Sequence, residues 1–184
     1  MRLTPLLIAA SLLSLASMGS RADENNAGTI HFTGEIVDPS CTITGDSGKD
    51  STVYLGSFAP SFFTGNGGKS DDAAFTITLA GCPVATTGLD RIQLTFKGIT
   101  IVGHDDLLAL TAGGATGVGI SVSTEAAPTT NLNLTGADGQ VYIPLQATSA
   151  DISQNFVARY ESYDATPITP GNAYADMTVN ILYR

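Results

Sequence analysis

The chain reads as an all-β protein, an antiparallel sandwich of short strands. Apolar residues recur at spacing two far more often than at three and four, so no convincing amphipathic helix lies behind the N-terminal segment. Clusters of Gly, Ser, Thr, Asn, Asp and Pro punctuate the runs, among them 64–68, Gly113-Gly114 and 166–171. Many short alternating strands separated by turn signals are the pattern of a sandwich.

Taken in chain order, the first segment is a secretory signal rather than structure. Arg2 precedes an apolar core from Leu6 to Ala16, and Ser20-Arg21-Ala22 fits the small-x-small cleavage rule. The apolar stretch falls short of the roughly 20 residues that span a bilayer. Cleavage after Ala22 is expected, with 1–22 removed, no lipid-bearing cysteine at the boundary and no stable membrane insertion. The mature chain is then 23–184, a size for one domain with a proper core. Losing Arg2 and Arg21 leaves 6 Lys and Arg against 17 Asp and Glu, a net charge near −11. Such a chain repels nucleic acid and anionic lipid.

Next comes a run with no evident partner inside the chain. From Gly28 to Ile36, the side chains of Ile30, Phe32 and Ile36 share one face, and Thr29, His31, Thr33 and Glu35 share the other. Further candidate strands follow at 33–44, 52–55, 74–79, 91–96, 118–123, 141–146, 155–162 and 174–183. The last begins just after Pro170-Gly171 and alternates Met177, Val179, Ile181 and Tyr183 with Asp176, Thr178, Asn180 and Leu182. A one-residue slip would turn that apolar set out to water, so its register is strongly specified. Since it runs almost to Arg184, no later strand covers its edge, and an exposed edge beside apolar positions is a liability unless filled. Cys41 and Cys82, the two cysteines of a chain bound for an oxidising compartment, favour a disulfide over a metal pair or a catalytic thiol.

Signals for chemistry are weak. Gly65-Asn66-Gly67-Gly68-Lys69-Ser70 has Phe63 where a phosphate-binding loop needs its first glycine, and a strand pattern follows where that motif needs a helix. His104-Asp105-Asp106 could be half a metal site or an acid–base pair, but His31 is the only other histidine and lies on the polar face of the leading run. No Gly-x-Ser-x-Gly elbow is present. Asn133-Leu134-Thr135 fits the glycosylation pattern, which is common by chance. Phe156, Tyr160 and Tyr163 cannot all share one strand face, so Phe156, Ala158 and Tyr160 are read as core. No enzyme activity, metal or cofactor is expected.

Several pieces, in order and spacing, carry a family resemblance along nearly the whole mature chain. They are the leader run from Gly28 to Val37 followed by Cys41; Val53-Tyr54-Leu55-Gly56; Phe75-Thr76-Ile77-Thr78-Leu79-Ala80-Gly81-Cys82; Gly117-Val118-Gly119-Ile120; Phe156-Val157-Ala158-Arg159-Tyr160; and Gly171 with penultimate Tyr183. Together they resemble the structural pilins of chaperone-usher fimbriae, nearest to type 1 major subunits. The resemblance implies an immunoglobulin-like sandwich lacking its final strand and completed by donor-strand exchange, with a Cys41–Cys82 disulfide. It implies a donor extension over 23–37, a pilin domain over 38–184, and donor positions at Gly28, Ile30, Phe32, Gly34 and Ile36. The acceptor groove and chaperone-binding strand fall on Met177, Val179, Ile181 and Tyr183. Implied partners are other copies of the subunit, a periplasmic chaperone and an outer-membrane usher, and the implied location is a cell-surface fimbria supporting adhesion. Two rival readings are a minor adaptor pilin of the same fold and a secreted ligand-binding sandwich; the absence of a second domain argues against a two-domain tip adhesin.

Overall fold

Alternation becomes ladder wherever a run finds a neighbour. The computed structural model describes residues 29–36, 38, 40–148, 150–165 and 167–184. The signal segment, the leader through Gly28, and Val37 lie outside the described residues.

Among the described residues nine strands are formed: β1 (Thr42–Thr44), β2 (Ala73–Ala80), β3 (Arg91–Gly98), β4 (Thr100–Ile101), β5 (His104–Leu108), β6 (Val118–Thr124), β7 (Val141–Pro144), β8 (Ile152–Ser162) and β9 (Met177–Tyr183). A single 3-10 turn, Pro60–Phe62, is the only helical element among the described residues. One sheet has the order β1-β2-β8-β6-β5-β4 and the other β7-β3-β9, with every pairing antiparallel. The antiparallel sandwich is therefore present, and it is all-β.

β2, β3, β6, β7 and β8 each place one face in the space between the sheets. Ile77 and Leu79 of β2, Ile120 and Val122 of β6, and Phe156 and Ala158 of β8 meet Ile92, Leu94 and Phe96 of β3 and Val141 and Ile143 of β7. Phe156 joins the layers: its ring stacks on Phe75 at 5.4 Å and meets Phe96 edge-on at 5.5 Å. The outer face of the larger sheet is polar. Thr76 Oγ1 donates to Asn155 Oδ1 at 2.9 Å, and Thr78 and Ser153 share a hydroxyl bond at 3.1 Å. Buried Arg159 is held there by Asp72 (2.9 Å), the Ser123 hydroxyl (3.0 Å) and the Pro128 carbonyl.

Three sequence expectations need correction. Of the described residues of 33–44 only Thr42–Thr44 is a named strand, and 29–36 has no strand assignment, because a strand needs a neighbour to take its backbone groups. Residues 52–55 are likewise unpaired. The β4–β5 hairpin was not foreseen: Asp105 and Asp106 hide its alternation, and its turn is made by Val102 and Gly103, the latter at φ +86°.

Candidate functional site: an open groove between two unpaired edges

The groove is built from β9 outward. Residues 177–183 run antiparallel to β3, from Ile92 opposite Tyr183 to Gly98 opposite Met177. Just beyond, Arg91 and Arg184 exchange both backbone hydrogen bonds, at 3.3 and 3.0 Å. An antiparallel ladder alternates bonded and non-bonded pairs. Leu182, Asn180 and Thr178 therefore spend their backbone groups on β3, while Tyr183, Ile181, Val179 and Met177 turn theirs to the opposite edge. No described strand pairs there. Those same four residues direct their side chains toward the core, against which they are only partly buried.

What faces that edge is a groove of about 1000 Å³. Cys41–Ile43, residues 49–53 and Leu55 form its far wall; Phe75, Ile77, Leu108, Ile120, Val122 and Ala158 form an apolar floor. The far wall is also unladdered on its groove side, since β1 pairs only with β2 and 51–55 pairs with nothing described. Two polypeptide edges without a ladder partner thus flank an apolar trough. One extended strand would satisfy both and cover the floor.

Both ends of the trough are pinned. At one end, Cys41 and Cys82 are joined by a disulfide, with Cα atoms 4.1 Å apart, and the Cys41 amide donates to Tyr183 Oη at 2.9 Å. At the other end β3 and β5 crowd β9 so closely that a Cβ on Gly98 would lie 2.9 Å from the Asp176 carbonyl oxygen. The chain entering β9 is tied by Tyr160, whose Oη donates to the Ala173 carbonyl at 3.1 Å. Burial pushes the Tyr160 phenol above its ordinary value, with nearby Tyr174 adding to the shift.

The sequence-predicted acceptor residues Met177, Val179, Ile181 and Tyr183 all line this groove. Of the donor residues, Ile30, Phe32 and Ile36 are 79, 92 and 100 % exposed, and Gly34 has open space where a Cβ would be. Gly28 is outside the described residues. Sequence reasoning did not identify the far wall, although the alternation of Val53 and Leu55 marked it, nor Leu108 of the floor. His104 is engaged with Asp164, Nε2 to Oδ1 at 3.1 Å, and with the Tyr163 ring. Among the described residues no group of three or more His, Cys, Asp or Glu is placed to hold a metal. The 65–68 loop is a glycine turn, with Gly65 and Gly67 at positive φ, and it leads into a strand.

Residues 30–184 match the family model described as "Fimbrial protein". The chain is 35 % identical to the fimbrial subunit type 1 of Klebsiella pneumoniae, over 97 % of this chain and 96 % of that one. It is 32 % identical to the S-fimbrial protein subunit SfaA of Escherichia coli, over 97 % and 95 %. In fold it is similar to the P pilus rod subunit PapA, with a TM-score of 0.64 and 22 % identity, covering 79 % of this chain and 99 % of that one.

Proposed function

Because the chain belongs to the fimbrial protein family, as a structural subunit that assembles with other pilin subunits into a cell-surface fimbria, we propose that it polymerises by inserting its own 28–37 segment into the groove of another copy. The observation that carries the reading is the complementarity of two incomplete surfaces. One is an apolar trough whose β9 wall offers unpaired backbone groups from Met177, Val179, Ile181 and Tyr183. The other is a run with Ile30, Phe32 and Ile36 on one face and in water.

The dimensions agree. Ile30 to Ile36 and Met177 to Tyr183 each cover six residue steps, about 20 Å of strand. An antiparallel insertion brings Ile30 opposite Tyr183, Phe32 opposite Ile181, Gly34 opposite Val179 and Ile36 opposite Met177. In that register bonded backbone pairs coincide with inward side chains, and the bare Gly34 lets the two chains approach closely. The far wall at 52–55 then gains the partner its alternating pattern calls for. This is β-strand addition, repeated head to tail.

On the same reading, 1–22 is a removed signal and 38–184 is the folded domain. A periplasmic chaperone covers the β9 edge until assembly, and an outer-membrane usher delivers the subunit. The family is one of structural subunits, and the groove offers a strand-binding surface.

Deleting 23–37 tests the reading. The shortened chain keeps its groove, so it should still co-purify with the chaperone, while cells expressing it should show no extended fibres by electron microscopy. Normal fibres from the deleted chain would refute exchange through this segment.

A further inference from the structure

Exposed apolar side chains lie near each end of β9, and the direction of strand insertion brings opposite ends of successive subunits together. At the Met177 end, Ile99 is 81 % and Tyr174 67 % exposed. Both flank residues 109–111: the Ile99 carbonyl accepts from the Ala109 amide at 2.8 Å, and the Tyr174 carbonyl accepts from the amide and hydroxyl of Thr111 at 2.8 and 3.0 Å. They frame the groove mouth, since Ala175 and Leu108 line the groove beside them. Roughly 20 Å away along β9, at the Tyr183 end, lies the disulfide. Val84, two residues past Cys82, is 42 % exposed there.

This inference rests on the donor-strand reading above. An incoming strand antiparallel to β9 emerges at Met177 with Ile36 last. Four residues, 37–40, then separate Ile36 from Cys41 of the donating copy. Five Cα steps reach at most about 18 Å. The disulfide end of the donating copy is therefore tethered beside Ile99 and Tyr174 of the acceptor.

We infer that Ile99 and Tyr174 form a docking patch for the disulfide end, including Val84, of the copy whose strand fills the groove, so that an apolar seam sets the angle between successive subunits. Such a patch is far below the roughly 1,000 Å² that a free-standing interface needs. The tether raises the local concentration to the order of millimolar, where a small contact closes. The seam is heterologous: different surfaces of the same chain meet, and the contact repeats along the fibre.

The test uses the full mature chain carrying Ile99→Asp with Tyr174→Asp, and separately Val84→Asp. Binding of a synthetic 28–37 peptide to the unassembled subunit should be unchanged in both. The persistence length of fibres in electron micrographs should fall about threefold or more in both, as expected for modules joined without a substantial apolar interface. Where the Asp pair impairs peptide binding, Ile99→Ala with Tyr174→Ala repeats the comparison. Intact peptide binding with unchanged persistence length would overturn the seam. A peptide that binds neither wild type nor variants would overturn the donor-strand reading, and the seam with it, because the tether would be gone.

Discussion

Appending a second copy of 28–37 after Arg184 through a short Gly-rich turn should produce a chain that fills its own groove and stays monomeric. The turn sends the added strand back antiparallel to β9, with its Ile30 at the Tyr183 end. The informative quantity is the difference between this fusion and one whose added copy carries Ile30→Asp and Phe32→Asp. Backbone ordering and linker effects are common to both and cancel. In the free segment Ile30 and Phe32 are 79 and 92 % exposed, so insertion buries nearly the whole of each side chain. At about 1.5–3 kcal/mol each, the two contribute roughly 3–6 kcal/mol, and a carboxylate facing Ile77 or Ile120 costs more. For a domain of this size 1 kcal/mol moves Tm by about 2–4 °C, so the native fusion should melt roughly 6–24 °C above the Asp fusion. Thermal unfolding followed by circular dichroism, with size-exclusion chromatography for the monomer, provides the assay. Equal melting temperatures for the two fusions would mean that 28–37 is not the missing strand.

Replacing Cys82 by Ser removes a cross-link spanning 41 residues; it should cost about 4 kcal/mol in the chain-entropy model, read as a lower urea midpoint. Alkylation without reductant followed by mass spectrometry should find no free thiol in the secreted wild type. Ile181→Asp puts a charge on the groove wall and should abolish co-purification with the chaperone, while an undiminished complex would count against β9 as the captured strand. The Tyr160 phenol is raised above its ordinary value of 10.0 in the folded state. As pH climbs past 10, the unfolded chain ionises first and stability falls, and Tm measured between pH 8 and 11 should show a loss that Tyr160→Phe reduces.

The parts of the fold that were legible in the sequence are those whose partners lie in the same chain. Runs 74–79, 91–96 and 118–123 each became a strand one or two residues longer at most, because alternation of core and solvent faces dictates both existence and register. Met177, Val179, Ile181 and Tyr183 were readable as one face for the same reason. Residues 52–55 and the leading run read equally well as strands, yet neither 52–55 nor the described 29–36 is laddered, since pairing is a property of two segments and alternation belongs to one. The hairpin at His104–Leu108 was missed because only Leu107 and Leu108 are buried apolar positions, with charged residues ahead of them. The buried Arg159 was invisible as well: its burial depends on Asp72, Ser123 and the Pro128 carbonyl, which come from three separate parts of the chain.

Hydrogen exchange along β9 tests the central claim most directly. Ladder parity turns the amides of Met177, Val179, Ile181 and Tyr183 to the open edge and those of Thr178, Asn180 and Leu182 toward β3. Residue-resolved exchange on the mature monomer, with and without saturating unlabelled 28–37 peptide, separates the two sets. Insertion predicts that the odd-numbered amides, fast to exchange alone, gain protection on the order of a hundredfold, while the even-numbered ones, already bonded, change far less. Bound peptide with the four odd-numbered amides still exchanging at their free rates would contradict strand addition at this edge.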